Sequence, residues 1–393
     1  MTTRRSMLTL LGTAPLASTA LAPARAGAEP AATGNAAGRV PDGLKPGGEL
    51  DRLVADLAAK DQFSGTVVLT HRGRTVLSRS YGMADKARLV PNGPDTAFAL
   101  ASVTKLFTAV AIARLVEQRT VAYTDSVGRF LDGFPAGIAD KVTVHHLLTH
   151  TSGLGDHHMA PGFWDQAANW TSPESVMAGC TAFIRQSSPA FEPGAGHRYS
   201  NSGYHLLGEI VARASGRTYY DYVREHVFAA AGMYDTDFPA RPQRATDARI
   251  AHPYGKQPSG ERVDLTDRMM FVGTPAGDAY ATAADLDRFG QALLQERLLT
   301  PPVTHITLSG KVPMPPPPGA TPPPPTTTFQ CYGPIGGYIN GHATLGHGGG
   351  SPGASTSIDL YPDTRWSVVV LCNYGDNAAL PVAQLARRII TTT

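Results

Sequence analysis

The chain has 393 residues, 17% of them charged and 42% hydrophobic, with 41 glycines and 32 prolines. Glycine and proline stay below the roughly 25–30% that marks a chain unable to fold, and a chain this long needs no disulfide or metal staple. The formal charge of +2 falls to −1 if Arg4, Arg5 and Arg25 leave with the segment described next, which excludes the basic footprint of a nucleic-acid binder.

Residues 1–26 open with Thr3-Arg4-Arg5-Ser6-Met7-Leu8, continue through an uncharged Leu/Ala/Thr stretch and end in Ala24-Arg25-Ala26, a small-residue cleavage pattern. This predicts a signal peptide of the twin-arginine kind and a protein secreted or held in the cell envelope. Met7 and Thr9 stand where Phe and Lys are usual, and the alternatives are an ordinary secretory signal and an uncleaved anchor. The apolar stretch is short of the ~20 residues of a membrane span, and no later segment fits one. Residues 27–48 are rich in Ala, Gly and Pro and read as a flexible lead-in.

Leu50, Leu53, Val54 and Leu57 then recur at helical spacing. Phe63 to His71 and Arg74 to Tyr81, turned around Gly73, read as a hairpin. An apolar helix follows from Ala101 to Val116, and the middle, about 120–299, is mostly helical, as over Tyr204 to Ala214 and Ala284 to Glu296. Val312 to Thr328 holds nine prolines and reads as an extended or disordered surface insertion. Tyr332 to Asn340, Ala343 to His347, Ala354 to Tyr361 and Trp366 to Asn373 are strand-like, and Ala378 to Ile390 is a last helix. Strands joined by tight turns pair antiparallel. The expected fold is α+β: one domain over 49–393, its antiparallel sheet built from about 49–119 and 300–393 and flanked by N- and C-terminal helices, with an inserted helical part at about 120–299. Cys331 and Cys372, both in strand-like segments, offer one disulfide pairing, and Cys180 is left over.

Ser102 and Lys105 lie at i,i+3 where the first long helix begins. That spacing puts hydroxyl and amine on one face, so the amine can take the hydroxyl proton if burial lowers its pKa. The helix N-terminus adds positive dipole beside the attacking oxygen. A serine at a helix start is also an ordinary N-cap, so the pair alone decides little. Two further segments add to it: Tyr199-Ser200-Asn201 just before a helix, and His347-Gly348-Gly349-Gly350 at the end of a strand.

S-x-x-K, Y-x-N and a basic residue followed by glycines, in that order, resemble the penicillin-binding proteins, class C β-lactamases and related serine esterases. The resemblance extends to Leu147-Leu148-Thr149-His150-Thr151-Ser152-Gly153-Leu154 and to Tyr199 through Tyr204, and spans about Leu50 to Ile390. It implies an acyl-enzyme formed on Ser102, with Lys105 and Tyr199 sharing the base work; which of them is the base stays open. Asn201 would hold Lys105 and the substrate, and the N–H groups of Ser102 and Gly350 would form the oxyanion hole. His347, Gly348 and Gly349 would bind substrate; His347 stands where many members carry Lys, and a partly charged His there makes carboxylate recognition weaken as pH rises. The leading expectation is an exported serine hydrolase of peptide-like amides such as D-alanyl-D-alanine ends. A carboxylesterase is the alternative, then a β-lactamase, then a binding protein on an inactive fold. No cofactor is implied, the partner is a small-molecule or peptide substrate, and the oligomeric state is open.

Rival motifs fail on context. Gly349-Gly350-Ser351-Pro352-Gly353 matches a nucleophile elbow, but no histidine follows Ser351. Gly348, Gly350 and Gly353 fit a dinucleotide fingerprint, but a strand-like segment follows them. His145, His146, His150, His157 and His158 crowd a short segment, yet Leu147 replaces the Glu of a zinc hydrolase, so no metal is assigned there. Phe163, Trp164, Trp170 and Tyr234 are candidates for a substrate cleft or for core packing.

Overall fold

The computed structural model describes residues 39–314 and 326–392. The signal-like segment and most of the proline-rich stretch lie outside them. Helix α1 (Glu49–Ala59) leads into the hairpin β1 (Gly65–His71) and β2 (Arg74–Tyr81). The helical part contains α2 (Lys105–Glu117), α3 (Val144–Leu148), α4 (Pro173–Arg185), α5 (Asn201–Ser215) and α6 (Ala283–Leu294), among shorter elements. The chain then returns to the sheet as β3 (Val312–Met314), β4 (Thr326–Gln330), β5 (Ile335–Ile339), β6 (His342–Ser351), β7 (Ala354–Tyr361) and β8 (Trp366–Cys372), and ends in α7 (Leu380–Thr391).

The strands form one eight-stranded sheet in the order β2-β1-β8-β7-β6-β5-β4-β3. Every neighbouring pair is antiparallel. β8 shows why it is central. All its residues are buried. Val368, Val370 and Cys372 face a core shared with Leu50 and Val54 of α1 and Val382 and Ile390 of α7. Val369 and Leu371 face the other core, with Leu286 and Phe289 of α6. A period of two thus supplies apolar groups to both faces. α2 is buried without a break from Lys105 to Ala113, so it runs through the interior of the helical part and packs against α5.

The expected α+β class and its split sheet are what the fold contains. Three details differ. The fold starts inside the expected lead-in: Asp42–Leu44 form a short helical turn that buries Leu44 under α1 and α7. The proline-rich stretch is bounded by paired strands, Met314 opposite Thr328, with Pro313 on the outermost strand, where its missing N–H is tolerated. The third concerns the cysteines, all of which are free. Cys331 belongs to the core on the helical face and Cys372 to the core on the opposite face, so the sheet stands between the two thiols. Among the described residues, no helix is long and apolar enough to cross a membrane.

Candidate active site

Ser102 lies in the single helical turn Ala101–Thr104 that runs directly into α2. The turn is tied on both sides. Phe98–Ala99 pair with Tyr280–Ala281, the Leu100 N–H donates to Ala279 O at 2.8 Å, and Asp278 N–H donates to Ala101 O at 3.1 Å. Ala101 takes a left-handed φ of 45°, a strained conformation for a residue with a Cβ. The strand carrying the glycines presses against the same turn. A Cβ at Gly349 would stand 2.4 Å from Leu100 O and 2.3 Å from Thr356 Oγ1, whereas one at Gly350 would meet nothing. Close approach therefore requires glycine at 349, and Gly350 faces open space.

Lys105 is fully buried and makes three hydrogen bonds through Nζ: to Ser102 Oγ at 3.1 Å, Asn201 Oδ1 at 2.6 Å and Ala276 O at 2.5 Å. Burial drives its pKa down to about 7, against the pull of the Asp156 and Asp278 carboxylates. Its Nζ also stands 4.8 Å from the ring centre of Tyr199. The Tyr199 hydroxyl hydrogen-bonds Ser102, and burial pushes its pKa up to about 12 although 44% of the residue surface is exposed. Both candidate bases thus reach the same oxygen. At neutral pH the phenol keeps its proton, while the amine is close to half deprotonated. A neutral Lys105 that donates to Asn201 Oδ1 and Ala276 O, both acceptors, has its lone pair left for the Ser102 hydroxyl.

Asn201 is the first residue of α5, whose N-cap is Ser200. Ser200 Oγ accepts the Gly203 N–H at 2.9 Å and donates to Gly155 O at 2.8 Å. The Ser200 N–H donates to His150 Nδ1 at 3.0 Å. Buried His150 therefore holds the Tyr199–Asn201 segment in place, and burial keeps its pKa well below the usual imidazole range. His146 accepts the Thr143 N–H through Nδ1 as part of the α3 cap. The H-x-x-x-H pair of the sequence is thus two separate structural hydrogen bonds. On its other side Asn201 donates to Asp156 Oδ2 at 2.7 Å, and Asp156 in turn accepts the His158 N–H.

A cavity of about 510 Å³ opens over Ser102. Asn201, Asp156, Asp278, Gly350 and Ser351 form its polar lining, and Trp164, Leu265, Met269, Met270 and Pro352 its apolar wall. Arg268 also lines it, and its guanidinium has no hydrogen bond or ion pair among the described residues. His347, Gly348 and Gly349 do not line this cavity. His347 is 7% exposed and its Nδ1–H donates to Gly348 O at 2.6 Å. Burial and the nearby Lys105 lower its pKa to about 4, so it is neutral near pH 7. The expected titration of carboxylate binding through His347 above pH 6.5 therefore has no charged group behind it.

Of the four aromatic candidates, Trp164 reaches the cavity, Phe163 and Trp170 pack in or against the core, and Tyr234 is exposed elsewhere. Asp156, Asp278, Arg268 and the Ala276 carbonyl escaped the sequence reading. Asp156 lies just beyond the Leu147–Leu154 string, which is the one sequence signal that could have found it. A backbone carbonyl leaves no signal in a sequence.

Three comparisons bear on this geometry. A family model described as Beta-lactamase matches residues 50–391. Penicillin-binding protein 4* of Bacillus subtilis (strain 168) is 32% identical over 336 residues, 82% of this chain and 71% of that protein. Esterase EstB of Burkholderia gladioli is 34% identical over 215 residues, 52% of this chain and 54% of that protein. The crystal structure of a penicillin-binding protein from Bacillus halodurans superposes with a TM-score of 0.74 at 28% identity, covering 85% of this chain and 99% of that one.

Proposed function

The chain belongs to the beta-lactamase family and is a serine hydrolase, and from that premise we propose that it hydrolyses a peptide-like amide whose leaving group ends in a carboxylate, as in a D-alanyl-D-alanine end. Ser102 Oγ attacks the carbonyl carbon while its proton passes to Lys105 Nζ, whose two fixed acceptors and pKa of about 7 suit it to that task. The oxyanion forms against the N–H groups of Ser102 and Gly350, both on the cavity wall. Tyr199, protonated and hydrogen-bonded to Ser102, passes its proton to the departing amine and is reprotonated by the proton that Lys105 took from Ser102, which returns Lys105 to its neutral form. Water then attacks the acyl-serine carbonyl and releases the acid.

The observation that carries the substrate class is Arg268, a cation without a partner among the described residues, in the cavity that holds Ser102. It supplies the charge that neutral His347 does not. The apolar wall of Trp164, Leu265, Met269 and Met270 favours a second reading, a carboxylesterase of neutral acyl groups. An acyl-D-Ala-D-Ala peptide and a neutral p-nitrophenyl ester, assayed side by side, separate the two. Arg268→Gln is expected to lower kcat/KM for the peptide by about 10–100-fold, the range of a hydrogen bond to a charged group, and to leave the ester within about threefold, well under one such bond. Fast ester turnover with no peptide release overturns the peptidase reading and leaves the esterase. The same reading takes residues 1–26 as an export signal; replacing Arg4 and Arg5 by Lys is expected to hold the precursor inside the cell. Undiminished export assigns the ordinary secretory route.

A further inference from the structure

Beside the active site, three buried side chains from three elements converge: His157 from the turn His157–Met159, Cys180 from α4 and His205 from α5. One ligand atom from each lies within 4.8 Å of the other two. All three residues are at least nine-tenths buried. His157 Nε2 and His205 Nδ1 are buried and have no hydrogen-bond partner. Native interiors rarely leave two such atoms unmatched side by side, so a partner is called for.

The outer nitrogens explain which atoms are free. Thr181 Oγ1 donates its proton to Glu209 Oε1 at 2.8 Å, so toward His205 Nε2, 3.0 Å away, it can only accept. The Met177 carbonyl lies 3.2 Å from the same nitrogen. His205 therefore carries its proton on Nε2 and turns the Nδ1 lone pair inward. His157 Nδ1 is 3.2 Å from Ser202 Oγ, which already accepts the His157 backbone N–H at 3.0 Å. In the tautomer that donates Nδ1–H to that hydroxyl, Nε2 is the free lone pair, and it is this tautomer that a bound cation selects. An imidazole whose far N–H is anchored by a hydroxyl, a carbonyl or a carboxylate has the arrangement of a metal-ligating histidine.

We propose that His157 Nε2, His205 Nδ1 and Cys180 Sγ form a binding site for a thiophilic d10 cation, Zn2+ or Cu+. Two imidazoles and one thiol, with no carboxylate among them, suit a borderline or soft ion, and a d10 shell imposes no geometry of its own. Binding forms two metal–nitrogen bonds and one metal–sulfur bond, and the Cys180 proton leaves to solvent. With Cu+ the assembled site is neutral, which suits complete burial; with Zn2+ it retains one positive charge. The site is a clip with a structural role. It fastens the turn that begins at His157 to α4 and α5, and the preceding residue, Asp156, holds Asn201. It lies outside the histidine pair His146 and His150 that the sequence spacing singles out.

The test titrates the full chain with Zn2+ and, under anaerobic reducing conditions, with Cu+, and uses Co2+ as an optical reporter. One equivalent per chain is expected, with a raised Tm and a sulfur-to-metal charge-transfer band on Co2+ binding. Cys180→Ser and His205→Gln are each expected to weaken binding by at least about 100-fold, beyond the usual loss on removing an outer-shell partner. The Co2+ band and the stoichiometry are read on the unaltered chain, so they decide the question even if a variant does not fold. Tighter binding of Cu+ or of Zn2+ identifies which ion the clip takes. Binding that persists in Cys180→Ser, or Co2+ uptake without the charge-transfer band, overturns the proposal.

Discussion

Lys105 and His347 are both buried bases on the helical side of the sheet, each with its pKa lowered by desolvation, yet the protein sets them at different values. Burial brings the pKa of Lys105 from about 10.5 to about 7 against the fields of Asp156 and Asp278. Among the described residues His347 has one hydrogen-bond partner, the carbonyl of the next residue, and burial with the repulsion of nearby Lys105 takes its pKa from about 6.5 to about 4. Burial lowers both values, and the starting points decide the outcome: an amine whose ordinary pKa is about 10.5 is brought down to the working pH, whereas an imidazole whose ordinary value is about 6.5 is left neutral there.

The largest test of that contrast removes the poised base. Lys105→Ala is expected to lower kcat by about 10²–10⁴, the usual share of general base catalysis. In the unaltered enzyme kcat/KM is expected to rise with pH through about 7 and then level off, because in the proposed mechanism the neutral amine accepts the Ser102 proton. That rising limb is expected to vanish in Lys105→Ala while a slow residual rate remains. Ser102→Ala is the companion control: it is expected to abolish labelling by a fluorophosphonate, and an adduct on Ser351 would transfer the nucleophile's role. A limb near 7 that survives Lys105→Ala would assign it to another group and remove the contrast between the two bases.

Much of this was legible in the sequence, for physical reasons that differ by region. The sheet could be read because β1 and β8 carry apolar runs and β2 and β7 are joined to them by tight turns, and the start of α2 could be read because a largely apolar run follows Lys105. Ser102 and Lys105 could be singled out because i,i+3 spacing puts hydroxyl and amine on one face, and Tyr199 and Asn201 through the family resemblance of the ordered motifs; the structure brings all four together. What stayed hidden is tertiary. The acceptors that tune Lys105 include a backbone carbonyl, Ala276 O, and its carboxylates come from distant loops. The charge state of His347 depends on burial, which residue type does not report. The convergence of His157, Cys180 and His205 joins segments far apart in the chain, whereas His146 and His150, from the same crowded segment as His157, serve as a helix cap and a loop tie.

The smallest effect on rate is expected at His347, and it tests the other half of the contrast. Because His347 is already neutral, His347→Gln is expected to leave the pH profile between 6 and 8 unchanged and kcat/KM within about fivefold, since an exchange of one neutral hydrogen-bonding group for another is worth about 1 kcal/mol or less. Stability is where the substitution should be felt. The folded pKa of about 4 lies below the unfolded value of about 6.5, so between those pH values the unfolded chain binds the extra proton. The contribution of neutral His347 is then intact above about pH 6.5 and is lost progressively as pH falls toward 4. Glutamine does not titrate, so His347→Gln is expected to lose less Tm than the unaltered chain between pH 7 and pH 5. The buried histidines His71 and His150, also with lowered pKa values, keep part of the acid sensitivity in both proteins. Parallel Tm curves for the two proteins would mean that His347 takes its proton at its ordinary pKa inside the fold. A fall in kcat/KM for a carboxylate substrate above pH 6.5, abolished by His347→Gln, would show the imidazolium in use and return carboxylate binding to the strand.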